Sequence, residues 1–252
     1  MRFLKLTLAY DGAAYVGWQW QENGLSIQQC LETAWRKVTG EYVRVQASGR
    51  TDAGVHALGQ VCSLRTRNAL PGPTLVRALN AHLPRDIEIL DVAEAPVGFH
   101  AIRDAVNKTY RYQVQAGRLL DVFSRRYRWF VPHTLDLASM QLAAASLVGT
   151  FDFASFQTVG STRKCTVRTV SQLSVQGCRQ GAYEYYDIQI TADGFLYNMV
   201  RAIAGSLVLV GRGKQPVEWM RTVLEGRDRQ LAGPTAPPHG LFLVEVRYPP
   251  ES

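Results

Sequence analysis

The segment SGRTDAGVHA, Ser48 to Ala57, sets Arg50, Thr51 and Asp52 between two glycines. Gly49 and Gly54 free the backbone on both sides of this polar core, and apolar alternating runs flank it. It therefore reads as a loop between strands, where functional side chains often sit. Two uses of Asp52 are open: it caps backbone amides of its own turn, or it is a catalytic carboxylate. The run FLYNMVRAIAGSLVLV bears on the choice, because Arg201 lies there among Met199, Val200, Ala202, Ile203 and Leu207. A guanidinium in such company either snorkels to water or takes an anionic partner. If it is buried, a loop carboxylate such as Asp52 is a natural partner, kept ionised and oriented by the charge beside it.

The run KTYRYQV has strand spacing, with Lys108, Tyr110 and Tyr112 on one face and Thr109 and Arg111 on the other. Aromatic and basic residues interleaved in this way suit contact with bases and phosphates, although strands also favour aromatics for packing. Trp18, Phe99, His100, Phe153 and Phe156 are further candidate contacts, each of which taken alone is explained by packing. The sequence has no G-x-x-x-x-G-K-[ST], no strand-linked G-x-G-x-x-G, no G-x-S-x-G and no metal-spaced histidine cluster. These gaps disfavour nucleoside triphosphatase, dinucleotide, serine-hydrolase and zinc chemistry.

With 252 residues, 46% of them hydrophobic, the chain can bury a sizeable core. Its 28 Lys and Arg against 21 Asp and Glu give a net charge of +7, which suits a polyanionic partner. Cys30, Cys62, Cys165 and Cys178 lie far apart and form no C-x-x-C pair, so a reducing cytoplasm is the expected home. The chain opens directly on an alternating stretch, without a signal pattern or a long apolar span, and no membrane targeting is expected.

Several elements must position these residues. RFLKLTLAYDG reads as a strand ending in an Asp-Gly turn. Ser26 and Gln29 make a capping-box pattern for a helix whose apolar stripe ends before Gly40. Strands are expected near Tyr42–Ala47, Leu58–Thr66, Lys108–Gln115, Thr166–Val175 and Tyr183–Thr191, and in IEILDV and LFLVEVRY. Helices are expected near Thr74–His82, Leu137–Leu147, Phe195–Val210 and Val217–Leu224. This order points to an α+β fold with mostly antiparallel neighbours.

Taken in order, YDGAAYVGWQWQ, SGRTDAGVHA, GFHA, KTYRY, FLYNMVR and GLFLVEV resemble the bacterial tRNA pseudouridine synthase A family in sequence and spacing, nearly end to end. The resemblance implies two ferredoxin-like, RRM-like halves, 1–105 carrying the Asp loop and 106–252 carrying the Tyr strand and Arg helix. These would form one extended, mostly antiparallel sheet with flanking helices and a central basic cleft. It further implies a homodimeric isomerase that converts uridine to pseudouridine at positions 38–40 of the tRNA anticodon stem-loop, a reaction that needs no cofactor or metal. By the same resemblance Asp52 is the nucleophile, Arg201 its ion-pair partner, and Tyr110 stacks on the target base. Arg50 helps hold the nucleotide out of the stack, and Leu241 packs against the base. Whether Asp52 attacks C1′ or C6, or acts through a glycal, stays open. Arg125, Arg126, Arg128, Arg163, Lys164 and Arg212 are candidates for phosphate contact. The alternatives are a non-catalytic RNA-binding or RNA-folding protein and a synthase with a different RNA target.

Overall fold

A computed structural model of the chain describes residues 1–158 and 165–249. Arg163 and Lys164 lie outside the described residues. In chain order the elements are β1 (Arg2–Tyr10), α1 (Ile27–Thr39), β2 (Gln46–Ala47), β3 (His56–Thr66), α2 (Gly72–Asn80), β4 (Ile87–Ala95), β5 (Asn107–Ala116) and β6 (Trp129–Val131). They continue with α3 (Leu137–Ala145), β7 (Gly149–Asp152), β8 (Val167–Gln180), β9 (Tyr183–Ala192), α4 (Met199–Gly211), α5 (Trp219–Gly226) and β10 (Leu241–Arg247). The fold is α+β, and its strand ladders are mostly antiparallel. The chain divides into two compact units, Met1–Val106 together with the chain from Phe242 on, and Asn107–Leu241.

In the first unit β1 lies antiparallel between β4 and β3. Both β2 and β10 pair with β3, antiparallel through Ala47 and Cys62 and parallel through Phe242 and His56 respectively. The alternation of β1 buries Leu4, Leu6, Leu8 and Tyr10 on one face. Helix α1 begins where the Ser26 hydroxyl accepts the Gln29 amide hydrogen and ends at Gly40, whose φ of 75° the side-chain-free residue accepts. Its apolar stripe, Ile27, Cys30, Leu31, Ala34 and Trp35, is buried, and α2 packs against α1 and β4.

In the second unit β5 is flanked by short parallel β6 and by antiparallel β9, followed by β8 and β7. Helix α3 packs on β8, α4 and α5, and α4 also packs on β5. Almost every residue of α4 is buried, as its apolar composition requires. The helix starts at Met199 rather than Phe195 because Asn198 adopts a left-handed conformation, φ 61°, that interrupts the helical run. Among the described residues no helix is long and apolar enough to cross a membrane.

Candidate active site

The loop between β2 and β3 is fixed to the first unit by main-chain and side-chain bonds. At its start the Ser48 amide donates to the Val61 carbonyl at 2.7 Å. In its middle the Thr51 carbonyl accepts from the Trp18 amide at 3.0 Å, and the Asp52 carbonyl accepts from the Val55 amide at 3.1 Å, closing a tight turn around Ala53 and Gly54. Two motifs distant in sequence thus become one structure, since the YDGAAYVGW segment lies directly against the loop. Its glycines permit the approach: a Cβ on Gly12 would stand 2.0 Å from the Val55 carbonyl oxygen, and one on Gly17 would strike Thr51. Asp52 itself is half-buried and Arg50 is exposed.

Behind the loop lies a buried polar layer. The Tyr10 hydroxyl meets Thr51 Oγ1 at 2.8 Å. Gln60, wholly buried on β3, donates from Nε2 to the Gly49 carbonyl at 2.9 Å and accepts the Ser48 hydroxyl hydrogen on Oε1 at 2.8 Å. Where β3 begins, buried His56 has its Nδ1 3.0 Å from the Gly12 amide and 2.9 Å from Asp11 Oδ1, with its ring stacked on Phe242 at 4.7 Å. Nδ1 either accepts from the amide or donates to the carboxylate, so both protonation states find a partner.

In the second unit Arg201 is half-buried. Its Nε donates to the Ala236 carbonyl at 2.7 Å and its Nη1 to Asn198 Oδ1 at 2.8 Å, while its own carbonyl accepts the Ala236 amide hydrogen at 3.1 Å. Tyr110 is buried on β5 and set edge-on to Phe195 at 4.9 Å. Tyr112 is wholly enclosed and donates to the Pro237 carbonyl at 2.7 Å. Burial pushes its phenol far up from the ordinary value, with the Arg201 charge opposing. Tyr112 therefore works as a strut. Leu241, at the start of β10, is buried.

The other candidates have varied settings. Trp18, Phe153 and Phe156 are core residues. Phe99 packs on Tyr248 at 5.2 Å, and the His100 amide donates to Asp104 while its Nδ1 accepts the Ile102 amide hydrogen, in a separate loop of the first unit. Arg128 is tied to Asp187 at 3.1 Å and lies 4.6 Å over the Tyr185 ring, whereas Arg125 and Arg126 are exposed. Sequence reasoning passed over Tyr10, Asp11, His56 and Gln60. Tyr10 and Asp11 stand in YDGAAYVGWQWQ and His56 in SGRTDAGVHA without a role of their own, whereas Gln60, just before the VCSL run, stands in no motif. Among the described residues no group of three His, Cys, Asp or Glu side chains could hold a metal ion.

A family model described as tRNA pseudouridine synthase matches residues 7–102 and 143–249. A tRNA pseudouridine synthase A from Moorella thermoacetica is 45% identical over 250 residues, covering 98% of this chain and 100% of that protein. One from Chloroflexus aurantiacus is 44% identical over 255 residues, covering 99% of this chain and 90% of its relative. The chain belongs to the tRNA pseudouridine synthase A family. Within this synthase the Asp52 loop and α4 fall inside the stretches matched by the family model, while Tyr110 falls between them and is covered by the full-length relatives. Among solved structures, a Cbf5-Nop10-Gar1 complex covers 91% of the synthase at 13% identity and a TM-score of 0.35, too slight a likeness to bear on its fold.

Proposed function

We propose that the chain rearranges uridine to pseudouridine in the anticodon arm of tRNA, at positions 38–40, with Asp52 as the nucleophile. In this reaction the N1 to C1′ bond breaks, the uracil turns, and C5 bonds to C1′. A proton leaves C5 and one arrives at N1, so atoms balance with no oxidant, reductant or added group. The target base must first leave its stack, at a cost of a few kcal/mol. In this reading Arg201 keeps Asp52 ionised, Tyr110 stacks on the uracil, Leu241 packs against it, Arg50 holds the nucleotide out, and Phe99 and His100 border the RNA.

The observation that carries the proposal is the loop itself: family membership gives the reaction class, and the carboxylate the reaction needs stands on a turn anchored by buried hydrogen bonds. The strand order β4, β1, β3, β2, with α1 and α2 as crossovers, supports a ferredoxin-like first half. A matching second half, a basic cleft, a homodimer and a cytoplasmic home belong to the same reading, and the net charge of +7 favours the tRNA partner.

The test is to incubate wild type and Asp52→Asn with unmodified tRNA transcripts, without added metal or cofactor, and to map pseudouridine chemically. Pseudouridine in the anticodon arm from wild type alone is the expected result. Equal turnover by both proteins would remove Asp52 from the mechanism. Binding of tRNA without product from either would leave an RNA-binding protein.

A further inference from the structure

Gln60 stands opposite Leu8 in the β1–β3 ladder, and Tyr10, two residues on from Leu8, shares its face. The amide of Gln60 and the hydroxyl of Tyr10 therefore meet on the buried side of the sheet, beneath the Asp52 loop, and the ladder slips register there, between Leu8 and Tyr10. The hydrogens can be followed through the cluster. One Nε2 hydrogen of Gln60 goes to the Gly49 carbonyl and the other reaches the Tyr10 oxygen at 3.4 Å. The hydrogen of Tyr10 is then left for Thr51 Oγ1. Oε1 of Gln60 takes the Ser48 hydrogen, which fixes the amide in this orientation.

Stability alone does not call for this arrangement. A buried polar group is costly unless satisfied, and apolar replacements of matched shape are often neutral or better. Val61, Cys62 and Leu64 beside Gln60 are all buried, and a residue of their kind would fit the strand. What the polar cluster adds is contact with the loop at Ser48, Gly49 and Thr51, the last being the residue before Asp52.

We infer that Tyr10 and Gln60 are positioning residues that hold Asp52 at the point of attack, an inference that rests on Asp52 being the nucleophile. They act through Thr51 and Gly49 and touch no substrate. Burial raises the Tyr10 phenol to about 12, so its hydrogen stays in place at neutral pH and it supplies a bond rather than a base.

The experiment compares kcat and KM for a tRNA transcript, together with thermal unfolding, in full-length wild type, Tyr10→Phe, Thr51→Val, Thr51→Ser and the Tyr10→Phe/Thr51→Val double variant. Small misplacements of a reacting group cost up to about a hundredfold, so Tyr10→Phe and Thr51→Val should each lower kcat roughly ten- to hundredfold with KM within about twofold. Thr51→Ser keeps the hydroxyl and should return kcat to near the wild-type value. The double variant should be no slower than the slower single, because both remove one bond. Should Tyr10→Phe fail to fold, Thr51→Val against Thr51→Ser tests the same bond from its other end. Wild-type kcat in Tyr10→Phe, or losses that multiply in the double variant without rescue by serine, would overturn the inference alone. Turnover by Asp52→Asn would sink the nucleophile assignment and this inference with it.

Discussion

The backbone of Gly17 runs so close to Thr51 that a methyl group on Gly17 would stand 2.6 Å from the Thr51 carbonyl oxygen, and Gly17 itself sits at φ 101°. Two costs therefore fall on Gly17→Ala, a strained backbone and a collision with main chain that has nowhere to go. Together they should destabilise the protein by about 2–4 kcal/mol and lower turnover, because the collision pushes on the residue before Asp52. Gly40→Ala is the control: its φ of 75° is also left-handed, but nothing lies within 4 Å of the added carbon, so about 1 kcal/mol is expected. Urea unfolding of both variants checks this. Equal losses would mean that the contact with Thr51 carries no weight.

Tyr10 has a pH signature of its own. Burial raises its phenol from the ordinary 10.0 to about 12, against the opposing hydrogen bonds from Thr51 and Gln60. The folded chain therefore holds the proton after the unfolded chain has lost it. The resulting stability is fully present below pH 10 and is lost as pH rises toward 12, at about 1.4 kcal/mol per pH unit. Cys62, Tyr15, Tyr112 and Tyr248 are also raised and titrate in the same direction, but they are common to wild type and Tyr10→Phe. The difference between the two proteins in urea unfolding at pH 9, 10.5 and 11.5 should thus correspond to one proton. Parallel curves would contradict the burial of this phenol.

The arginines between β5 and β6 separate into two kinds. Arg128 is held by Asp187 and lies over Tyr185, so Arg128→Ala should cost about 1 kcal/mol of stability. Arg125 and Arg126 are exposed, and Arg125 donates to the Val122 carbonyl of its own loop. Replacing both with Gln should change stability by less than about 0.5 kcal/mol. If they meet tRNA phosphates, the slope of log affinity against log salt should fall by roughly two. Filter binding across a salt series reads this directly, and an unchanged slope would move the phosphate contacts elsewhere.

Local chemistry was legible in the sequence, and long-range contact was not. The bounds of α1 follow from Ser26 and Gly40 because a cap and a left-handed stop are encoded beside the helix they limit. Strand β2 is confined to Gln46–Ala47, against an expected Tyr42–Ala47, since only that pair finds partners on β3. Strands β6 and β7, of three and four residues, are too short to show a period. Asp52, flanked by glycines, drew notice as a loop carboxylate. The residues that hold its loop did not, because Tyr10 and Gln60 lie in ordinary strand positions and become meaningful only when β1 and β3 pair.

Arg201 joins two segments of the second unit, and its loss should be felt in both folding and chemistry. It reaches Ala236 and Asn198, and Asn198 needs support to stay left-handed at φ 61°, part of which comes from its own bond to Thr158 at 3.0 Å. Arg201→Ala leaves the Ala236 carbonyl without its side-chain donor and should cost about 2 kcal/mol. Arg201→Lys keeps the charge but not the planar fork, so it should lie between alanine and wild type. If Arg201 also keeps Asp52 ionised, removing the positive charge raises the pKa of the carboxylate. The acid limb of the kcat profile should then move to higher pH in Arg201→Ala and stay nearer its wild-type place in Arg201→Lys. Lost stability with an unmoved acid limb would leave Arg201 a structural residue, and wild-type stability with a wild-type rate would remove both roles.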